Sequence, residues 1–304
     1  KIGLDTVAIG RKVIEKAIRW RMDQRRLTSF EVYAKTLVDS SDEWKNLIEM
    51  VVVPETWFFR NRKVFNYLAR FVKNTWLPGN SGRMLKVLSI PCSTGEEPYS
   101  VAMAFMDAGI KKDRFQIAGM DISEEALKKA RLGVYGQGSF RGKDLAFRDR
   151  YFQPKNDGYQ LLGHVRDKVK FKSGNVMENR FAAGAPYDVI FCRNLMIYMS
   201  PEARSQTLET MSRLLAETGV FFCGHAERQT AIDWGFEAVN ETGVFACRKR
   251  CRESKGKDRS VDATRAQSKR QVHEKKIKPI RKPLTPVDVV SGKSTEQQNR
   301  SKPD

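Results

Sequence analysis

Two adjacent carboxylates, Glu96 and Glu97, follow Gly95 in the segment SIPCSTGEEPYS. The apolar run MLKVL before this segment predicts a buried strand, and the residues after it predict an apolar helix. A glycine turn between a strand and a helix usually binds phosphate, because the helix N–H groups point at the anion. Two acids at this position would repel a phosphate. The turn therefore favours a ligand that has no phosphate and carries positive charge.

Further polar residues lie at the ends of later strand-like runs. Asp121, Asn175 and the pair Arg193-Asn194 each stand at such an end. The carboxyl ends of parallel strands form the ligand crevice of an open α/β sheet, so these side chains should meet the STGEE turn there. Asp121 could accept both hydroxyls of a ribose. S-adenosylmethionine, with a ribose, a sulfonium, an ammonium and no phosphate, is the predicted ligand; in the alternative, the glutamates only favour a helix N-terminus.

The elements that must position these residues alternate along the chain. Strand-like runs (MLKVLSIPC, FQIAGMDI, KVKFKSGN, YDVIFCRN, GVFFCGHAE) are separated by helical segments. Ser123 is the expected N-cap of one helix, and Gly219 the expected end of another. The segment GFEAVNETGVFACRKR predicts a closing hairpin. This order predicts an α/β fold with a parallel sheet, helices on both faces and an antiparallel edge.

Two further regions accompany the sheet. The irregular stretch at residues 138–172 predicts a small inserted β-subdomain, with a turn at Lys155–Gly158. The residue pattern of 1–54 is typical of helices and predicts a small all-α domain before the sheet.

The first long helix of that domain is amphipathic. At 100° per residue, one side carries an apolar stripe made of Ile9, Val13, Ile14, Ala17, Ile18 and Trp20. The opposite side carries four basic residues, Lys12, Lys16, Arg19 and Arg26. This basic face is either an ordinary solvated surface or a docking surface for an acidic helix.

Composition limits the class of protein. The net charge of +19 indicates an acidic partner. Residues 251–304 contain no aromatic residue and predict a disordered basic tail, which is either a linker to a further domain or a basic arm. The five cysteines form no CxxC and are not spaced with histidines as ligands, which favours buried thiols in a reducing cytoplasm and no metal. No uncharged apolar run reaches the roughly 18 residues of a membrane span.

Five segments together resemble one known family. PETWFFRN (54–61), CSTGEEPYS (92–100), DISEEALKKARLGVY (121–135), YDVIFCRNLMIYMS (187–200) and GVFFCGHAE (219–227) are similar to motifs of the chemotaxis receptor methyltransferases, the CheR family.

The resemblance implies a helical substrate-docking domain at 1–54 and a tail or linker at 251–304. Between them, at 55–250, it implies a class I S-adenosylmethionine-dependent methyltransferase domain, which is Rossmann-like and carries the inserted β-subdomain. The implied reaction moves a methyl group from S-adenosylmethionine to glutamates on the acidic cytoplasmic helices of chemoreceptors. The products are glutamate methyl esters and S-adenosylhomocysteine.

The resemblance also implies roles for single residues. Arg60 and Tyr198 fall at the expected active-site positions, where Arg60 would orient a carboxylate and Tyr198 would bond near the transferred methyl group. The expected cofactor-binding residues are Thr56, Arg60, Glu97, Asp121, Asn175, Val176, Arg193 and Asn194. The expected docking residues are Lys12, Lys16, Arg19 and Arg26.

This chemistry needs few groups. A glutamate side chain is already an anion at neutral pH, so the enzyme has to position it rather than deprotonate it. His225 is accordingly expected to be a packed strand-end residue. Two alternatives stay open, a nucleic-acid methyltransferase and an S-adenosylmethionine-sensing adaptor without turnover. We expect a cytoplasmic monomer that neither inserts into a membrane nor binds nucleic acid.

Overall fold

Four helices form the N-terminal part of the fold. The computed structural model describes residues 2–52, 55–178 and 186–250, and the predicted tail at 251–304 lies outside the described residues. The four helices are α1 Thr6–Ile9, α2 Arg11–Gln24, α3 Phe30–Asp39 and α4 Ser41–Val51.

A buried carboxylate joins three of these helices. Glu43 on α4 is 1% exposed and accepts two hydrogen bonds from the Arg21 guanidinium, at 2.8 and 2.7 Å. Arg25 and the Tyr33 hydroxyl donate to the same carboxylate at 3.1 and 3.0 Å. A buried charge is stable only when it is paired and hydrogen-bonded. Glu43 therefore fixes α2 and α3 against α4.

The packed side of α2 differs from the predicted stripe. Ala17 is buried, but Val13 and Trp20 are 46% and 48% exposed. The apolar stripe identified in the sequence is therefore only partly buried. Because Arg21 must face inward to reach Glu43, the helix is rotated so that Val13 and Trp20 turn towards solvent.

Ten strands follow among the described residues. A connecting segment leads into them and consists of α5 Arg62–Phe71, a π-helical turn Val72–Trp76 and α6 Leu77–Gly79. The strands are β1 Leu85–Ser89, β2 Phe115–Asp121, β3 Val134–Tyr135, β4 Phe152–Lys155, β5 Gly158–Leu161, β6 Val169–Ser173, β7 Tyr187–Cys192, β8 Leu215–Cys223, β9 Phe236–Ala238 and β10 Ala246–Lys249.

Seven of these strands form one mixed sheet. Their order is β6-β2-β1-β7-β8-β10-β9. The first five are parallel, and β10 is antiparallel to both β8 and β9. The predicted parallel sheet with an antiparallel edge and a closing hairpin is confirmed. The strand order reverses between β1 and β7, so the ligand crevice of such a sheet is expected at their carboxyl ends.

Helices cover both faces of the sheet. Val87 and Leu88 are neighbours on β1 but belong to two separate clusters of buried apolar residues, as expected for a sheet buried on both sides. The remaining helices are α7 Glu96–Asp107, α8 Glu124–Leu132, α9 Ala146–Tyr151, α10 Gly163–Arg166, α11 Pro201–Leu214 and α12 Arg228–Trp234.

Two predicted helix boundaries have different outcomes. Ser123 caps α8 by accepting the N–H of Ala126, as predicted. The predicted helix end at Gly219 is wrong, because α11 already ends at Leu214 and β8 begins at the next residue. Leu215 pairs with Tyr187 on β7 ahead of a register shift. Pairing with β7 therefore makes a strand of a segment whose local pattern favours a helix.

A three-stranded sheet of order β3-β5-β4 forms the inserted subdomain. It begins at Val134, before the predicted start at 138, and β6 at 169–173 belongs to the main sheet instead. The β4–β5 turn lies within the predicted Lys155–Gly158. Phe58 packs against the subdomain, with its ring centroid 4.7 Å from that of Tyr135. This contact fixes the segment before α5 against the insert.

Within the described residues, no helix is both long and apolar enough to cross a bilayer.

The Glu43 network yields a stability prediction. Replacing Glu43 with Gln leaves the Arg21 guanidinium without its charged partner, and we expect a loss of about 3 kcal/mol in the free energy of unfolding. Hydrogen bonds from Arg21 hold the pKa of Glu43 below its ordinary value. A carboxyl group with a depressed pKa stabilises the folded state at pH values above its unfolded-state pKa, and this contribution is lost as the pH falls through the folded-state pKa. The difference in urea midpoint between the wild type and Glu43→Gln should therefore shrink on acidification.

A matched control is Asp42→Asn on the same helix. The Asp42 carboxylate pairs with Lys45, and both side chains are largely exposed. This variant should leave the urea midpoint nearly unchanged. Equal midpoints for Glu43→Gln and Asp42→Asn at neutral pH would contradict the assigned role of Glu43.

Candidate active site

A cavity that we name the main cavity lies at the carboxyl ends of the central strands. It measures about 240 Å³, and its walls include Ser93, Asp121, Asn194 and Tyr198. Glu49 on α4 lines it from the side of the N-terminal helices. The switch in strand order and the helical domain therefore contribute to one cavity.

Two smaller cavities adjoin the main one and share wall residues with it. One measures about 60 Å³ and includes Asn175 and Val176. The other measures about 70 Å³ and includes the residues Thr56, Arg60, Glu97 and Arg193. All the cofactor-binding residues expected from the sequence thus line three contiguous cavities. The basic residues Lys12, Lys16, Arg19 and Arg26 line none of the three and are exposed on the N-terminal helices.

The turn after β1 requires a glycine. Gly95 has φ of +93°, and a Cβ there would lie 2.9 Å from the Ala130 Cβ and 3.1 Å from the Phe171 ring. Gly95 precedes α7, so the two acids enter the helix one after the other. Because successive helical residues are 100° apart, Glu96 and Glu97 leave the helix in different directions.

Glu96 lies away from the cavities. It is 2% exposed and accepts hydrogen bonds from the hydroxyls of Thr94 and Ser139, at 2.6 and 2.8 Å. Burial raises the pKa of its carboxyl group. The expectation that both acids attract the ligand is therefore wrong for Glu96, which attaches the inserted subdomain to the turn through Ser139.

Glu97 forms an ion pair with Arg193. Its two oxygens accept from the Ser89 hydroxyl at 2.8 Å and from the Arg193 guanidinium at 2.9 Å. Arg193 also donates to the carbonyl oxygen of Arg60 at 3.0 Å. The two paired side chains are 6% and 12% exposed. This pair connects the ends of β1 and β7 with the segment that carries Arg60.

Asp121 is held at the end of β2 by backbone donors. Its oxygens accept the N–H groups of Ser93 at 2.7 Å and of Ser123 at 2.9 Å. Burial raises the pKa of this carboxyl group, and the two N–H groups act in the opposite direction. Each oxygen keeps a further lone pair. Asp121 can therefore accept hydrogen bonds from ribose hydroxyls.

Arg60 is fixed by contacts on the segment around it. Its guanidinium donates to the Glu55 carbonyl at 3.0 Å and lies 4.4 Å from the centroid of the Trp57 ring. Burial and the nearby Arg193 lower its pKa, but a guanidinium stays charged in proteins. Arg141 of the inserted subdomain contacts the same ring at 4.6 Å. The site therefore holds a positioned cation beside the Glu97–Arg193 pair.

The segment after β7 carries Tyr198. Asn194, where the segment turns, has φ of 59°, a left-handed conformation that clusters at functional sites. The carbonyl oxygen of Tyr198 accepts the N–H of Asp5 at 2.8 Å. The first residues of the described chain thus hold the tyrosine in the cavity wall.

Glu227 organises this segment, and the sequence reading did not assign it a role. It is 2% exposed, and it accepts the N–H groups of Asn194 at 2.9 Å, Met196 at 2.8 Å and Gly224 at 2.6 Å. Burial raises the pKa of its carboxyl group, and these backbone donors act in the opposite direction. The sequence feature that could have indicated this role is the acid at the end of the GVFFCGHAE motif, which follows a buried strand. His225 of that motif lies 4.7 Å from the Phe245 ring.

The residues present fit S-adenosylmethionine. Ser93 Oγ and Arg193 Nε are buried without a hydrogen-bond partner in the described parts of the chain, so the crevice retains unused polar groups. Asp121 offers lone pairs for a diol, and Val176 lines an apolar end. Among the same described residues, His, Cys, Asp and Glu side chains form no group of three that could hold a metal ion.

The fold and the crevice define a nucleoside-binding methyltransferase domain, and comparison with known families specifies it further. Residues 54–245 match the family described as CheR methyltransferase, SAM binding domain. The chain belongs to the CheR methyltransferase family.

Named relatives agree with this assignment. The chain is 44% identical to the probable biofilm formation methyltransferase WspC of Pseudomonas aeruginosa, over 82% of this chain and 59% of that protein. It is 32% identical to chemotaxis protein methyltransferase 2 of Vibrio cholerae, over 73% of this chain and 79% of that protein. It is also 32% identical to the chemotaxis protein methyltransferase of Escherichia coli, over 75% and 80%. The chain therefore spans about three fifths of the length of WspC.

Solved structures add little to this result. A TehB-like SAM-dependent methyltransferase from Corynebacterium glutamicum is 15% identical, with a TM-score of 0.35, over 62% of this chain and 100% of that one. A similarity of this size carries no argument about the site.

The buried Glu227 carboxylate yields a second prediction. In Glu227→Gln one oxygen is replaced by a donor that faces backbone N–H groups, so we expect a loss of about 2 kcal/mol in the free energy of unfolding. Hydrogen exchange should be faster at the amides of Asn194 and Met196 than in the wild type. Glu237→Gln, at an exposed position on β9, is the control and should change neither measurement. Unchanged exchange at Asn194 in Glu227→Gln would sink this assignment.

Proposed function

We propose that this protein is an S-adenosylmethionine-dependent O-methyltransferase that esterifies glutamate side chains on the acidic cytoplasmic helices of chemoreceptors. The observation that carries the proposal is the convergence of Asp121, the Glu97–Arg193 pair, Arg60 and Tyr198 on three contiguous cavities. Membership of the CheR family supports it.

In this proposal the cofactor supplies a methyl group on a sulfonium, which is electrophilic without further activation. Asp121 accepts a hydrogen bond from the ribose, and Asn175 and Val176 line the adenine side. Glu97 places negative charge beside the cationic end of the cofactor, and its pair with Arg193 keeps it in place. The chain's task is therefore to bind and orient.

The acceptor carboxylate needs orientation rather than a base. A glutamate is an anion at neutral pH, and Arg60 is a fixed cation at the mouth of the site. Arg60 holds the acceptor in line with the methyl group, and Tyr198 donates a hydrogen bond near the transfer point. Trp57 limits the freedom of the Arg60 guanidinium, so less entropy is lost when the acceptor binds.

The test is incubation with methyl-labelled S-adenosylmethionine and a receptor cytoplasmic fragment. Base-labile label on glutamate is the expected result, and label on RNA, or no label, would overturn the reaction class. Arg60→Ala should lower transfer at least about 100-fold, because it removes the charge that orients the acceptor. Arg70→Ala, which removes a guanidinium from an exposed pair with Glu241, should transfer at the wild-type rate. Transfer by Arg60→Ala within a few-fold of wild type would disprove the assigned role.

We also propose that the basic face of the N-terminal helices seats the acceptor helix. The residues Lys12, Lys16, Arg19 and Arg26 are exposed. Lys16 and Arg19 border a groove of about 510 Å³ that is also lined by Trp20 and Phe30. A glutamate-rich helix complements this charge, which favours faster encounter and correct register.

Charge reversal tests the docking face. Arg19→Glu combined with Arg26→Glu should raise the KM for the receptor fragment several-fold at low salt and flatten its salt dependence, with little change in kcat. Lys111→Glu combined with Lys112→Glu changes the net charge equally. These exposed lysines precede β2 and therefore lie at the opposite ends of the strands from the crevice. An equal rise in KM for both double variants would show that net charge alone is responsible.

The names of the relatives suggest which pathway the receptor serves. The relative with 44% identity is named for biofilm formation, whereas those with 32% identity are named for chemotaxis. We therefore propose a receptor of a chemosensory-type pathway that controls biofilm formation, with the enzyme acting in the cytoplasm where receptor helices are accessible.

A further inference from the structure

One wall of the main cavity comes from the end of α4. Glu49 on this helix lines the cavity together with Asp121 and Ser123. Its carboxylate accepts a hydrogen bond from the Ser123 hydroxyl at 2.5 Å and one from the N–H of Glu125 at 3.3 Å. A side chain from the N-terminal helices is thus bonded directly to the segment that follows β2.

Ser123 brings two carboxylates to the same place. Its N–H donates to Asp121 at 2.9 Å, and its hydroxyl donates to Glu49 while accepting the N–H of Ala126 at 2.9 Å. Asp121 and Ser123 are 6% and 4% exposed, so this arrangement is rigid. Asp121 and Glu49 approach one residue from two sides and face one cavity.

Two neighbouring carboxylates suit a ligand with two neighbouring hydroxyls. The carboxylates of Asp121 and Glu49 have four oxygens between them, and each oxygen can accept more than one hydrogen bond. A ribose diol supplies two O–H donors and no charge. A ribose that carries a phosphate would instead be repelled by both acids, so the arrangement also discriminates against phosphorylated nucleosides.

We infer that Glu49 is a second ribose-recognising carboxylate, supplied by the N-terminal helices, which accepts one hydroxyl of the cofactor while Asp121 accepts the other. This inference rests on the proposed cofactor of the site. It makes cofactor binding depend on the docked position of α4, because Glu49 reaches the ribose only from there.

A purely structural role for Glu49 predicts something different. The N-terminus of α8 already has its serine cap, and Glu49 adds a bond to the N–H of Glu125. If Glu49 only supported this helix end, its removal would weaken every ligand of the cavity to the same extent. If it binds the ribose, the loss depends on a particular hydroxyl.

The experiment is a binding cycle between variants and ligands, measured by calorimetry without methyl transfer. S-adenosylhomocysteine and its 2′-deoxy and 3′-deoxy analogues are titrated into the wild type and Glu49→Gln. We expect Glu49→Gln to bind S-adenosylhomocysteine about tenfold more weakly. One of the deoxy analogues should bind both proteins equally, because the hydroxyl that Glu49 accepts is already missing. Glu124→Gln, on the first turn of α8 and paired with Arg131, should bind all three ligands like the wild type.

Each other outcome has a defined meaning. Equal affinity of wild type and Glu49→Gln for S-adenosylhomocysteine overturns the inference and leaves the proposed function intact. An equal loss for all three ligands overturns it in favour of a structural role. No binding by the wild type refutes the proposed cofactor itself. Urea unfolding of the ligand-free proteins verifies folding, and Glu49→Asp, which shortens the reach of the carboxylate, is tested for the same pattern if Glu49→Gln does not fold.

Discussion

The desolvated ion pair between Glu97 and Arg193 is the interaction on which the site depends. It spans the switch in strand order, because Glu97 follows β1 and Arg193 follows β7, and Arg193 also donates to the carbonyl oxygen of Arg60. A buried pair of this kind contributes little net stability, but removal of one partner leaves a costly unpaired charge. The main effect of the pair is therefore to fix the geometry of the site. Three segments that are distant in the sequence are held at one point, and the guanidinium of Arg60 takes its position from there.

The same constraint explains why two adjacent glutamates have different tasks. Gly95 starts α7 in a left-handed conformation that leaves no room for a side chain, and the helix then separates Glu96 from Glu97. Glu97 faces the crevice and Arg193. Glu96 faces Ser139 of the inserted subdomain, which in turn carries Arg141 against Trp57. The insert therefore supports the segment of Arg60 from one side and the turn after β1 from the other, and this makes it part of the site's framework.

Local patterns in the sequence were sufficient for the strands, the Ser123 cap and the residues at strand ends, because these depend on periodicity and on the rule that ligands meet at the carboxyl ends of parallel strands. Local patterns did not determine the features that depend on a partner residue distant in the sequence. The orientation of α2 follows from the bond between Arg21 and the buried Glu43, and the early end of α11 follows from the pairing of Leu215 with β7. Glu49 and Glu227 act across 74 and 33 residues of sequence, and no local pattern distinguishes such acids from exposed ones.

These long-range acids connect the N-terminal helices to the wall of the main cavity. Glu43 fixes α4, the end of α4 lines the main cavity, and the segment before α1 holds the backbone of Tyr198 through the N–H of Asp5. A shift of the helical domain would therefore move a cavity wall and Tyr198 together. Ligand binding stabilises whichever arrangement completes its contacts, so in the proposed function a bound cofactor would favour the helix positions seen here, which also present the basic face to the acceptor. Cofactor and acceptor binding would then be linked through the N-terminal helices, and such linkage is reciprocal by thermodynamic necessity.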